Sequence, residues 1–314
     1  MNSNKTGWLF LSIVLCFIAV ELVVGFTPLG DSLSVPAMML ISELTFMLPV
    51  GVCFLFSGSS AAECFALRTV KPSVALLSIP YTWMVLPLTM TLNMFTLFFT
   101  NNRASEIMET LSGAGLFLMA LFTALIGPIC EELTFRGIIF AGIRKSGSAL
   151  QAIFISALLF GLFHMNINQA LYAFGLGLFF GALREVTGSI IPSIICHITV
   201  NSGGVISLLI QKLLVKEQEL PDAVATGALD NNTLAMALAV GIIMAFIGVA
   251  IALCLLAYIA RRQGNIRAFK DIVAKRESSK GEVWSVPLVS GSLLAVAFMI
   301  FLMVFELIRA SRAA

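Results

Sequence analysis

Long apolar runs, each closed by a short segment rich in glycine, proline or charge, recur from one end of the chain to the other. A helix rises about 1.5 Å per residue, so about 20 apolar residues suffice to cross the hydrocarbon core of a bilayer. The pattern predicts nine helical spans: Trp8 to Phe26, Pro36 to Phe56, Val74 to Thr100, Gly113 to Ile143, Leu150 to His164, Ala170 to Leu183, Ile190 to Ile210, Thr233 to Ala260 and Trp284 to Ile308. The fifth and sixth are short, so the expected fold is an all-α polytopic transmembrane bundle of eight to nine spans. Pro80 and Pro87 predict kinks in the third span, where freed carbonyls need partners from neighbouring helices. No small-residue cleavage pattern follows the first run between Val23 and Gly30, which predicts a retained span.

Composition sharpens this picture. With 59% hydrophobic and 11% charged residues and a mean hydropathy of +1.00, no soluble fold hides so much apolar surface. A net charge of +2 is too small and dispersed to indicate a nucleic-acid partner. Its placement is more telling. With the N-terminus in the cytoplasm, Lys5, Arg68, Lys71, Arg144, Lys145, Arg184, Arg261, Arg262, Arg267, Lys270, Lys275, Arg276 and Lys280 fall inside. Arg103, Lys212, Lys216, Arg309 and Arg312 fall outside, a ratio of 13 to 5 that obeys the positive-inside rule. The stretch from Arg261 to Lys280 is expected to be a solvated stop-transfer loop, with an amphipathic segment on anionic lipid as the other reading. The six cysteines show no paired spacing and are expected to serve as packing residues.

Ionisable groups inside apolar spans cost about 2.5 to 3.5 kcal/mol on insertion scales, so each marks a candidate site. Three segments hold them. The fourth span carries Glu131-Glu132-Leu133-Thr134-Phe135-Arg136; the fifth ends in Phe160-Gly161-Leu162-Phe163-His164; the seventh carries His197-Ile198-Thr199-Val200-Asn201. Glu132 and Arg136 lie one turn apart and can neutralise each other, while Glu131 points elsewhere. His197 and Asn201 likewise share a face. Both histidines of the chain sit in these segments. The polar turn Arg144 to Ser148 makes the fourth and fifth spans a hairpin, in which Glu131 and His164 each lie about 25 Å from the turn, hence at one depth. His197 and Asn201 lie about 10 to 17 Å in from the same side, so tilt must bring the four together. Gly137, Gly161, Gly175, Gly177 and Gly181 offer the small surfaces such close approach requires.

The succession EExxxR, FxxxH and HxxxN resembles the type II CAAX prenyl endopeptidases and the wider bacterial group of CAAX proteases and bacteriocin-processing proteins. The resemblance covers roughly Gly113 to Ile210. It divides the chain into N-terminal transmembrane helices (1–112), a protease-like catalytic core (113–211) and C-terminal transmembrane helices with a basic cytoplasmic loop (212–314). It implies an intramembrane cavity in which Glu131 and His164 activate a water, His197 and Asn201 stabilise the oxyanion, and Glu132, Arg136 and Phe160 support the site. The chemistry agrees: amide hydrolysis by water needs a base, and preorganised donors for the oxygen that gains charge.

Glu131, His164 and His197 could instead ligate zinc, since three protein ligands and a water make a catalytic site. Relatives are often labelled metalloproteases by analogy, but there is no HExxH spacing and the water mechanism requires no ion, so no cofactor is the expectation favoured. The partners expected are a membrane-tethered peptide or protein and the lipid bilayer of a bacterial plasma membrane. Two other readings stay open. Glu21 and Glu43 near the first two spans would suit a proton-coupled transporter, although no inverted pair of broken spans is evident. A non-catalytic scaffold or immunity protein of the same fold is the third.

Overall fold

The computed structural model describes residues 2–100, 115–214, 231–274 and 281–313. Arg103, Lys216, Lys275, Arg276, Lys280 and the start of the fourth span at Gly113 lie outside them, as do the side chains of Lys212, Arg309 and Arg312. The described chain is helical throughout: α1 (Ser3–Phe26), α2 (Pro28–Ser32), α3 (Val35–Leu55), α4 (Ala61–Cys64), α5 (Pro72–Thr96), α6 (Leu116–Ser146), α7 (Ala149–Phe163), α8 (Ile167–Thr187), α9 (Ile191–Leu214), α10 (Asn231–Gln263), α11 (Ile266–Ala274) and α12 (Val286–Ala313). Seven of these are long and apolar enough to cross a membrane, and α7 and the apolar part of α9 are shorter. The nine expected spans are all present, in order.

Two apolar cores hold the bundle. One joins α1, α3, α6, α7 and α12 through Phe10, Phe46, Phe135, Phe160 and Phe298. The other joins α5, α8, α9 and α10 through Tyr81, Phe180, Cys196 and Leu256. Outward faces are apolar too: Phe56, Phe99, Phe117, Phe246 and Val286 are each more than 70% exposed. Around a bundle whose solvent is lipid, such a surface is the expected one.

The loops between helices converge at one end. Ser3 Oγ donates to the Val283 carbonyl, Lys71 Nζ to Arg262 O at 2.6 Å, Ser189 Oγ to Arg68 O at 2.6 Å and Asn265 Nδ2 to Val186 O at 3.2 Å. Arg144 pairs with Glu185 at 3.0 Å. The described basic residues counted to one side of the membrane thus lie near one end of the bundle.

Two expectations fail. The stretch after Arg261 is not simply a solvated loop: α11 lies against the bundle end, with Ile266, Ala268, Phe269 and Ile272 packed on the second core and Arg267 and Lys270 exposed. Its apolar residues recur at helical spacing, which hides one face and leaves charge on the other. Nor are all cysteines packing residues, since Cys16 and Cys254 are exposed on the outer face. A thiol is apolar enough to face lipid without cost.

Helix α7 sets the depth of the site. Ser148 caps it, accepting from Gln151 N at 3.3 Å while Gln151 Oε1 accepts from Ser148 N at 2.8 Å. Its 15 residues reach only about 22 Å, less than the roughly 30 Å hydrocarbon core. The turn that follows therefore stays within membrane depth, where Asn166 Nδ2 satisfies the His164 carbonyl at 2.8 Å and Asn168 Nδ2 anchors the start of α8 to Asn93 Oδ1 at 2.7 Å and Thr96 Oγ1 at 2.8 Å on α5. Met165, buried in this turn, has φ +52°, a left-handed conformation costly for any residue with a Cβ.

Glycine brings α8 against the hairpin. A Cβ on Gly177 would lie 2.8 Å from Ala157 Cα and 3.2 Å from Arg136 Nη2. Replacing Gly177 with Ala is expected to lower stability by about 1–3 kcal/mol by forcing backbones apart. Thermal unfolding in detergent measures this, with Gly203→Ala, where nothing lies within 4 Å of the added carbon, as the unaffected control.

Candidate active site

Helix α6 is not a uniform α-helix. It winds in wider, π-helical turns over Ala120–Ile126 and Leu133–Ile139, which flank the ordinary α-helical Gly127–Glu132. Such turns occur mainly as single insertions near functional sites. The paired glutamates sit at the end of the α-helical segment, and Arg136 lies within the second wide turn.

Glu132 and Arg136 are completely buried and joined by a hydrogen bond of 3.0 Å from Arg136 Nη1 to Glu132 Oε1. The guanidinium also lies 4.3 Å over the Phe160 ring and 5.5 Å from that of Phe180. A charge removed from water is tolerated only with such partners. The same Glu132 oxygen meets His197 Nδ1 at 3.1 Å. His197 Nε2 then faces Glu131 Oε2 at 3.6 Å, so one imidazole spans both glutamates. Phe160 and Phe180 wall that ring, at 5.7 and 5.5 Å between centroids.

His164 caps the C-terminus of α7, and its Nδ1 lies 2.9 Å from Phe160 O. A carbonyl only accepts, so Nδ1 carries the proton and a neutral ring presents Nε2 as an acceptor. The ring stands edge-to-face on Phe160 at 5.0 Å and lies within electrostatic reach of Glu131 and His197. Phe160 thus orients His164 with its carbonyl and Arg136 with its ring.

Glu131, Glu132, Arg136, Phe160, His164 and His197 accordingly form one cluster built by α6, α7 and α9. Asn201 stands one turn beyond His197, and its Nδ2 donates to Thr123 O in the first wide turn of α6 at 2.8 Å. One amide hydrogen is committed there.

Two further residues border the cluster. Glu43 of α3, which the sequence suggested for a transport path, lies close to Cys130 and Glu131; its Oε1 would lie 3.1 Å from a Cβ on Gly127. Tyr172 of α8 also lies within the field of Glu131. A lone acid in an apolar run signalled Glu43; nothing in the pattern around Tyr172 distinguishes it.

Among the described residues, no three His, Cys, Asp or Glu side chains are grouped to hold a metal. A catalytic zinc needs three such ligands.

Residues 113–203 match the family described as type II CAAX prenyl endopeptidase Rce1-like. Over 89 residues the chain is 33% identical to a Bacillus subtilis (strain 168) protein named "Putative membrane peptidase YdiL", a match that covers 28% of this chain and 36% of that relative. The chain thus aligns with little more than a third of that relative's length. No solved structure matches.

The buried triangle of Glu132, Arg136 and His197 yields a stability prediction. Removing one partner of a buried ion pair leaves an uncompensated charge, so Glu132→Ala and Arg136→Ala are each expected to cost about 3–5 kcal/mol. In a double-mutant cycle, Glu132→Ala/Arg136→Ala, read by thermal unfolding, should cost less than the sum of the two single changes.

Proposed function

We infer that this chain, whose residues 113–203 match the type II CAAX prenyl endopeptidase Rce1-like family, is an intramembrane endopeptidase that hydrolyses a peptide bond with an activated water. Its substrate is a membrane-tethered or lipophilic peptide or protein, cleaved in a bacterial plasma membrane with the basic end of the bundle facing the cytoplasm. The observation that carries this reading is the fixed pair of imidazoles beside Glu131: His164, held through Nδ1 by the Phe160 carbonyl, and His197, held through Nδ1 by Glu132.

A water between Glu131 and His164 Nε2 donates to both. Glu131 removes one proton as the water oxygen bonds to the scissile carbonyl carbon, and the carbonyl oxygen becomes an oxyanion. His197 Nε2 and the remaining Asn201 amide hydrogen stabilise that oxygen. With Nδ1 of His197 held by Glu132, Nε2 is the ring atom turned toward Glu131 and the reacting oxygen. Glu131 then returns its proton to the leaving amine as the C–N bond breaks. Phe160 and Phe180 exclude water from around the charges, which strengthens each interaction. No step passes through a metal.

The position of Glu43 favours one site over a transport path, since it joins Glu131 and does not extend the line of acids elsewhere. Glu21, the other acid of that reading, is exposed on α1.

Cleavage of a membrane-tethered fluorogenic peptide in proteoliposomes tests the assignment. Glu131→Gln is expected to lower kcat about 10²- to 10⁴-fold, and Asn201→Ala about 10²- to 10³-fold with KM little changed. Prolonged chelation should leave the rate intact. Undiminished cleavage by Glu131→Gln would remove the carboxylate from the reaction, and proton flux that this change abolishes would favour transport.

A further inference from the structure

Away from the site, a groove of about 690 Å³ opens on the outer wall between α1, α3 and the last turns of α6. Its lining includes Lys5, Trp8, Val52, Phe56, Ile138 and Lys145. Leu48, also on its wall, is five residues past Glu43 on α3, and Ile138 is seven past Glu131 on α6. The groove thus stops about 7–10 Å short of the catalytic cluster and runs from there to the basic end.

Lipid chains solvate any apolar groove on this surface, so its walls alone select nothing. Its mouth does select. Lys5 and Lys145 are exposed, and neither joins an ion pair among the described residues. The acid on the same wall, Glu63, turns a carboxylate oxygen back to Ser60 N at the start of its own helix, at 3.3 Å. Trp8, 59% exposed, stands one turn inside Lys5, as an indole does at the membrane interface. Cationic pockets between spans at the cytoplasmic surface suit anionic headgroups.

We propose that this groove is a binding site for one anionic phospholipid, its phosphate between Lys5 and Lys145 and an acyl chain along Val52, Phe56 and Ile138. A zwitterionic lipid brings its own cation to the same two lysines and so gains less. The site is independent of the peptidase reading.

Quenching of Trp8 by brominated lipid tests the proposal. Trp83→Phe and Trp284→Phe leave Trp8 as the sole indole of the chain's three tryptophans, in the full chain reconstituted into phosphatidylcholine vesicles. Dibrominated phosphatidylglycerol is expected to half-saturate quenching at a mole fraction roughly tenfold lower than dibrominated phosphatidylcholine. Lys5→Ala/Lys145→Ala should abolish that preference and Lys5→Arg/Lys145→Arg keep it, and each single alanine change should weaken it if the pair fails to fold. Ala141→Phe, which fills the groove wall, should reduce quenching by both lipids. Equal quenching by the two lipids, a preference that survives loss of both lysines, or reversal by millimolar inorganic phosphate would overturn it.

Discussion

Glu132 Oε1 accepts from Arg136 Nη1 at 3.0 Å and meets His197 Nδ1 at 3.1 Å, and the arrangement of the centre follows from this one shared oxygen. A carboxylate withdrawn from water requires compensation in full, and here it draws an arginine from its own helix and an imidazole from α9. That tie fixes the face His197 turns toward Glu131. It also positions Arg136 for the Phe160 ring, whose backbone carbonyl in turn orients His164. The two glutamates differ in environment: Glu132 is fully buried and bonded to Arg136 and His197, whereas Glu131 approaches His197 at 3.6 Å and is partly exposed.

The rest of the bundle makes that centre possible in a solvent that provides no hydrophobic drive between helices. Close contact between spans depends on small residues and on polar groups satisfied within the protein. Gly177 lets α8 lie against Ala157 and Arg136, while Asn166 satisfies the His164 carbonyl within membrane depth and Asn168 ties the start of α8 to α5.

Much of this was legible in the sequence. Runs of about 20 apolar residues announce spans because a bilayer imposes a single length on each. EExxxR and HxxxN announce side chains one turn apart, and the Glu132–Arg136 pair has the expected geometry. What could not be read are the relations between helices. Nothing local says that His197 would span both glutamates, that Asn201 would spend a hydrogen on Thr123, or that Glu43 would reach across from α3. The helix α11 was obscured for another reason: its charges dominate a short segment, and its buried face has meaning only against the bundle end it covers.

The wide turns of α6 carry a further consequence. A π-helical turn is an ordinary helix with one residue inserted, so it shifts the angular register of everything beyond it by about 100°. Across Leu133–Ile139 that offset separates the heading of Glu131 from that of the Arg144 end of the same rod. The helix can thus turn its acids toward α9 while its far end faces Glu185 of α8, two directions that a uniform winding of this length would set differently. Length is therefore constrained to the single residue here: an indel harmless in a loop would, in this segment, swing one half of the molecule out of step with the other.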